Sequence, residues 1–387
     1  MKRQSFLDSE KSSGGGYRLT ELLNKDVKEL NGIILSLLCI SFLITVGIIS
    51  YKVNSSYAIF TDTIKGEKVI ELTVSMPKTP ASEILMSKVG QSGLEEVTHA
   101  ADSTLQIGAI ESLTEYRFRG GNDVVTNNYV YFNCADINNQ TSSTCELYRI
   151  IGVFPVDDGT GKIENRVKLI SDDDYIRDDW NENGTNNWAE PATLNTDLNT
   201  TYWSGINASY QNLIGNAKYY LGGYNTYLEI KTSVMYEYER KIEGSTYYYN
   251  GNPTNWTGKI ALMYASDYGY GANSECSEST DLTYYETNSC PDNNWLFSAP
   301  GIGEWLLSQD ASGSVEGNVF LVTTDGYVES RNKYFFIGGD VYARPVFYLT
   351  ADAEFNDIGD GSENNPYQLK GWYYTIHMKN WYSLFSL

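Results

Sequence analysis

Histidine is nearly missing from this chain: His99 and His377 are the only two among 387 residues. A zinc site built on several imidazoles, or a relay of Ser, His and Asp, needs more than that scarcity offers. Cations are also in short supply, with 28 Lys and Arg against 49 Asp and Glu, a formal net charge of −21 and a pI near 4.5. Phosphate backbones are gripped by clustered Lys and Arg, so this balance speaks against nucleic acid as a partner. It keeps the chain soluble and says nothing of its fold.

What is present points to a β-rich exterior protein. A hydrophobic content of 41% supplies one large core or two modest ones. Aromatics reach 14%, with 32 Tyr but only 13 Phe, and Asn, Ser, Thr and Gly crowd the same segments. That mixture suits exposed strands and long polar loops. Residues 30–51 carry no charge and include GIILSLLCISFLITVGIIS, long enough to cross roughly 30 Å of hydrocarbon as a helix. Lys2, Arg3, Lys11, Arg18, Lys25 and Lys28 precede it, while only Lys52 follows before Lys65, so the N-terminus is expected in the cytoplasm. A cleaved signal peptide is the competing reading, but the run exceeds a usual apolar signal region. The expected organisation is a leader at 1–29, a transmembrane helix at 30–51, an extracellular stalk at 52–102, a folded domain at 103–370 and a tail at 371–387.

Five cysteines divide usefully. Cys39 lies in the apolar run, leaving Cys134, Cys145, Cys276 and Cys290 outside. An even number in an oxidising compartment reads as disulfides. Three connectivities are open, and the local one, Cys134 with Cys145 and Cys276 with Cys290, closes two polar loops.

Along the chain, TPASEILMSKVGQSGLEEV reads as a helix starting at Thr79, with Ile84, Leu85, Val89, Leu94 and Val97 on one face. EYRFRG, NNYVYFN, ELYRIIGVFPV and NRVKLIS then read as antiparallel strands. Helices are expected over NNWAEPATLNTDLNTTYW, with Pro191 in its N-terminal turn, and over TSVMYEYERK, a buried strand in GKIALMYASDYGYG, and late strands in NVFLVTTDGYVES and VYARPVFYLT. Strands, then helices and loops, then strands argue an α+β fold.

ELYRIIGVF, ATLNTDLN, WTGKIALMYASDYGYG, EWLLS, NVFLV, DGYV and ARPVFYL, in that order, resemble a group of bacterial cell-surface proteins. Their body is similar to the C-type-lectin-like fold shared by sulfatase-modifying-factor relatives. The likeness spans about residues 103–370, and the closing GDGSENNPYQL resembles a segment that ends domains in many bacterial surface proteins. The resemblance implies an N-terminal transmembrane helix followed by a C-type-lectin-like domain with an antiparallel sheet and packed helices. GGGYRLTELL at 14–23 also resembles the opening of type IV prepilins, but NKDVKELN separates it from the apolar run.

In that fold the loops ahead of the last strands form the ligand face. Residues about 267–300 and 308–335 occupy that place, with Asp292, Asn293, Asn294, Asp325 and Arg331 as candidate contacts. Arg344 and Pro345 interrupt the apolar run 341–350. The structural reading has Arg344 bury its stem against an acid or loop carbonyls while Pro345 marks an edge or strand start. The resemblance would cast Cys276 and Cys290 as the reactive pair of formylglycine chemistry, but in a polar extracellular loop a disulfide is the better reading. Sugar-binding calcium loops of the fold carry Glu-Pro-Asn or Gln-Pro-Asp. Glu190-Pro191-Ala192 and the run from Pro291 to Trp295 match neither, so no metal and no cofactor is expected. The acidic runs SDDDYIRDDW and DIGDGSENNP read as a solvated face and a turn.

The expected function is recognition of an extracellular glycan or protein ligand, or adhesion, by a membrane-anchored surface protein. The alternatives are a surface hydrolase or modifying enzyme of the same fold, marked by paired acids of raised pKa in one cleft, and a pilin-like subunit processed at Gly16.

Overall fold

The computed structural model describes residues 59–62, 70–75, 79–121, 125–173, 176–182, 184–225, 230–249, 251–297, 303–312, 317–332, 341–371 and 377–378. They fall into two units, one of Met1–Pro77 with Tyr374–Leu387 and one of Lys78–Tyr373. In the first, β1 (Ile59–Asp62), β2 (Ile70–Ser75) and the short strand His377–Met378 form an antiparallel sheet in that order.

The second unit is built on an eight-stranded sheet. Its strands β3 (Leu94–His99), β4 (Leu113–Phe118), β5 (Tyr129–Phe132), β6 (Glu146–Asp157) and β7 (Ile163–Ser171) come from the first half of the chain. The β6–β7 hairpin is the spine, turned where Asp157 Oδ1 accepts the N–H groups of Gly159 and Gly161 at 2.8 and 3.0 Å. Residues 150–154 and 166–170 are buried without alternation, so both faces of the hairpin are covered. Gly152 is required where β4 crosses, since a Cβ there would stand 2.1 Å from the Tyr116 carbonyl oxygen.

Further along come β8 (Ala217–Tyr220), β9 (Gly223–Tyr224), β10 (Asn255–Gly258), β11 (Ile260–Ala261), β12 (Gly303–Asp310), β13 (Asn318–Val322), β14 (Val328–Asn332), β15 (Val341–Tyr342), β16 (Val346–Tyr348) and β17 (Tyr367–Gln368). The large sheet runs β11-β16-β7-β6-β4-β3, with β5 on β6 and β17 parallel to β5. A second sheet runs β14-β13-β12-β15 with β9 also on β12, and β8 pairs β10. The helices are short: Thr193–Asp197 continued by Leu198–Tyr202 and Trp203–Gly205, then Ala208–Gln211, Thr232–Glu239, Ala265–Gly271 and Ser274–Ser279.

The architecture is therefore mixed α+β with antiparallel sheets and few helices, which corrects the expectation of a transmembrane helix ahead of a helix-packed C-type-lectin-like domain. Among the described residues no helix is long and apolar enough to cross a membrane. Spanning takes about 20 residues, whereas Thr232–Glu239 has 8. The leader and the apolar run at 30–51 lie outside the described residues.

Two local readings also change. The helix expected from Thr79 to Val97 is only Ala81–Met86. Gly90, Ser92 and Gly93 have φ of 81°, 51° and 80°, which ends the helix and turns the chain into β3. The strand expected in GKIALMYASDYGYG stops after Ala261, because the Asp267 carboxylate accepts the Tyr264 N–H at 3.0 Å and starts a helix there.

Candidate functional site

Inside the sheet lies a cluster of charges whose members come from distant parts of the chain. Glu115 and Arg117 alternate along β4 and so share one face. That face is buried, with Arg117 1% and Glu115 3% exposed. Arg117 Nε donates to Glu115 Oε2 at 2.8 Å, and its Nη1 donates to Asp267 Oδ1 at 2.9 Å. Lys168 of β7 donates to the other Asp267 oxygen. Just past the helix Thr232–Glu239, Arg240 Nη1 donates to Glu239 Oε2 at 3.0 Å and lies over the Tyr236 ring at 3.6 Å. Three acids and three bases thus balance in the interior, as buried ions must.

The electrostatics follow from that arrangement. Burial acts to raise the Glu115 carboxyl, but Arg117, His99 and Arg240 together hold it well below the usual range. Burial acts likewise on Asp267, and Lys168 and Arg117 outweigh it, keeping the carboxyl low. Lys168 faces one anion but also Arg117 and Arg240, so burial wins and its amine is pushed down. Burial raises Glu239 despite Arg240 and the hydrogen bonds from Ser266 and Ser308. His99 stacks on Tyr236 at 3.5 Å between centroids and lies 3.3 Å from Glu115.

A narrow cleft reaches this cluster, walled by Glu115, Tyr220, Tyr236, Arg240, Tyr264 and Tyr348. Its cavity volume of about 10 Å³ holds about one water. Small-molecule sites usually need several hundred Å³.

The loops expected to carry ligand contacts are held from behind. Disulfides join Cys134 to Cys145 and Cys276 to Cys290. Asn273 caps the helix Ser274–Ser279 by accepting the Cys276 N–H at 3.0 Å, and the chain then returns through Pro291–Asn293. Gly120 accepts the Trp295 N–H at 2.8 Å, and Gly121 packs so closely on Asn293 that a Cβ would lie 2.2 Å from its Cα.

The five candidate contacts separate. Asp292 and Asp325 are exposed. Their loops meet where Gly326 abuts Pro291, and the Tyr268 hydroxyl fixes the Gly326 carbonyl at 2.6 Å. Asn293 is half-buried and donates to the Ser289 carbonyl at 3.1 Å. Asn294 is turned inward, 3% exposed, donating to the Tyr268 carbonyl and accepting the Leu296 N–H. Arg331 on β14 pairs with Glu329 at 2.6 Å. Arg344 is buried, with Nε and Nη2 on the two Glu304 oxygens at 2.8 and 2.9 Å and Nη2 also on the Leu296 carbonyl at 2.7 Å. Pro345 directly precedes β16, and its carbonyl accepts the Ser171 N–H.

Beside this edge the structure adds a feature that the sequence did not announce. The Arg149 guanidinium is sandwiched between the half-buried rings of Tyr129 and Trp295, at 4.1 and 4.6 Å from their centroids. Asn128 and Thr126 fix it by hydrogen bonds of 2.8 Å each. Arg149 stands in β6 and Trp295 follows the second disulfide, so only the folded chain brings them together. Among the described residues no group of three or more His, Cys, Asp or Glu is arranged to hold a metal. Comparison with family models, curated proteins and solved structures finds no match.

Proposed function

We propose that the Lys78–Tyr373 unit is a recognition module for an extracellular glycan or protein ligand, with its contact face at the edge formed by Asp292, Trp295, Tyr129 and Asp325. The observation that carries this reading is a contrast between two places. The cleft that reaches buried acids has room for about one water, and of the two acids in its wall Glu115 is held ionised by cations while Asp157 faces Lys218 at 3.5 Å. Such an arrangement supports structure better than hydrolysis, which needs an acid of raised pKa facing substrate. The loop edge has the opposite character: half-exposed aromatic faces and exposed carboxylates on a backbone pinned by a disulfide and by close glycine contacts. Rigid aromatic anchors ringed by polar groups suit ligand contact at small entropic cost. Two disulfides accord with an oxidising exterior.

The test is a glycan and glycoprotein array on the purified full chain, with calcium and with chelator. Chelator-insensitive binding that falls at least tenfold in the Asp292→Ala and Asp325→Ala variants is expected. Binding that survives both substitutions, or none to any array member, defeats the proposal.

A further inference from the structure

The contact between Lys168 and Asp267 has no part in that recognition face, and its surroundings are unlike those of an ordinary ion pair. Both side chains are fully buried. The rings of Tyr264, Tyr348 and Phe154 enclose the amine, with centroids 4.6, 5.2 and 5.5 Å from Nζ. An ammonium has three donors to satisfy. Among the described residues Asp267 Oδ2 is the one oxygen that meets them. The carboxyl group, by contrast, is gripped on both sides: Arg117 Nη1 donates to Oδ1 at 2.9 Å and the Tyr264 N–H to Oδ2 at 3.0 Å.

We propose that Lys168 and Asp267 become joined by an intramolecular amide bond, a covalent tie between β7 and the helix Ala265–Gly271 across 99 positions of the chain. The step needs no other reactant. One proton passes from the ammonium to Oδ2, and the freed amine attacks Cγ. As the Nζ–Cγ bond forms, the carbonyl electron pair moves to Oδ1, where Arg117 holds the charge. A second proton then follows from nitrogen to Oδ2, the Cγ–Oδ2 bond breaks, and Oδ2 leaves as water while the pair on Oδ1 restores the carbonyl. Ammonium and carboxylate have become amide and water, with nothing oxidised or reduced.

Three features of the site favour this outcome. Burial lowers the amine's hold on its proton, and although Lys168 and Arg117 keep the resting carboxyl ionised, the Arg117 contact that does so is in place to hold the charge on Oδ1 once Nζ attacks. Condensation replaces two desolvated charges by one neutral group with a single N–H, which removes the donors that face only rings. The narrow cleft shares Tyr264, Tyr348 and Phe154 with the amine's enclosure and holds about one water, the size of the product that must depart. Glu115, bonded to Arg117 Nε, is a positioning residue that aims the guanidinium at Asp267.

The test is intact mass spectrometry of the full chain, denatured and with disulfides reduced. The expected result is a mass below that of the sequence by one water, absent in the Lys168→Met variant. Peptide mapping of the unsubstituted protein keeps the proposal testable if that variant fails to fold: trypsin should not cut after Lys168, and the segment holding it should travel attached to the one holding Asp267. The full sequence mass with free peptides, or a missing water mapped to another residue, overturns the proposal and leaves a buried ion pair.

Discussion

Replacing Arg344 with Met offers the sharpest check on how this core is held. Arg344 and Glu304 have side chains only 2% and 5% exposed, and they meet through two bonds of 2.8 and 2.9 Å. Removing one member of a buried pair costs roughly 3–5 kcal/mol, because the other is left as an uncompensated charge. The Leu296 carbonyl also loses its 2.7 Å donor, at about 1 kcal/mol more. For a domain of this size the melting temperature should fall by roughly 10 °C. The penalty should also depend on pH. Burial already holds the Glu304 carboxyl above its ordinary 4.5, even with Arg344 beside it. Without the arginine it rises further, so the folded state keeps a proton that the unfolded state releases. Stability of the variant is then greatest below the unfolded value and declines as pH climbs toward the folded one. Urea melts at about pH 5 and about pH 7.5 should show the larger deficit at the higher pH. Adding Glu304→Gln should recover about half of the loss, since a neutral amide is less costly to bury than an unpaired carboxylate. A double variant no more stable than Arg344→Met, or a penalty that ignores pH, would refute the reasoning.

Two further outcomes are expected. Replacing Cys276 and Cys290 by Ser removes a tie across 14 positions. The chain-entropy cost is about 3 kcal/mol, and hydrogen exchange should rise first between residues 276 and 295; unchanged exchange there would mean that the loop does not depend on the bond. At the acid end, Glu115 titrates below its unfolded value of 4.5, so its contribution is present above that pH and is lost as pH falls below it. An acid melt should therefore begin below about pH 4.5, and Glu115→Gln should weaken that dependence; a steep loss already between neutrality and about pH 5 would point to a different group.

Much of the sheet was legible from local pattern. The segments around β4, β5, β6 and β7 announced themselves by Val, Ile, Tyr and Phe between turn residues, because strand pairing rewards those side chains wherever they stand. The helix at Ala265–Gly271 was hidden, since the apolar run before it has no helical period and a single carboxylate decides where it starts. Arg117 and Lys168 were hidden for another reason: alternating charges in a strand look like a solvated face. The partner that neutralises them, Asp267, stands 150 and 99 positions away. One signal was available, the placing of Lys168 between Val167 and Leu169 in a run with no alternation, which already implied that its strand is covered on both sides.

By itself, then, the sequence determined the composition of the surface, the places of the main strands, the helix Thr232–Glu239 and a reserve of cysteines able to pair. Tertiary structure alone decided which charges turn inward and which cysteines meet, that Asn294 serves the backbone rather than a ligand, and that Arg149 lies between Tyr129 and Trp295. The physical reason is range. Strand and turn preferences are settled among neighbours in the chain, whereas burying a charge is tolerable only once its counterion arrives from another part of the fold.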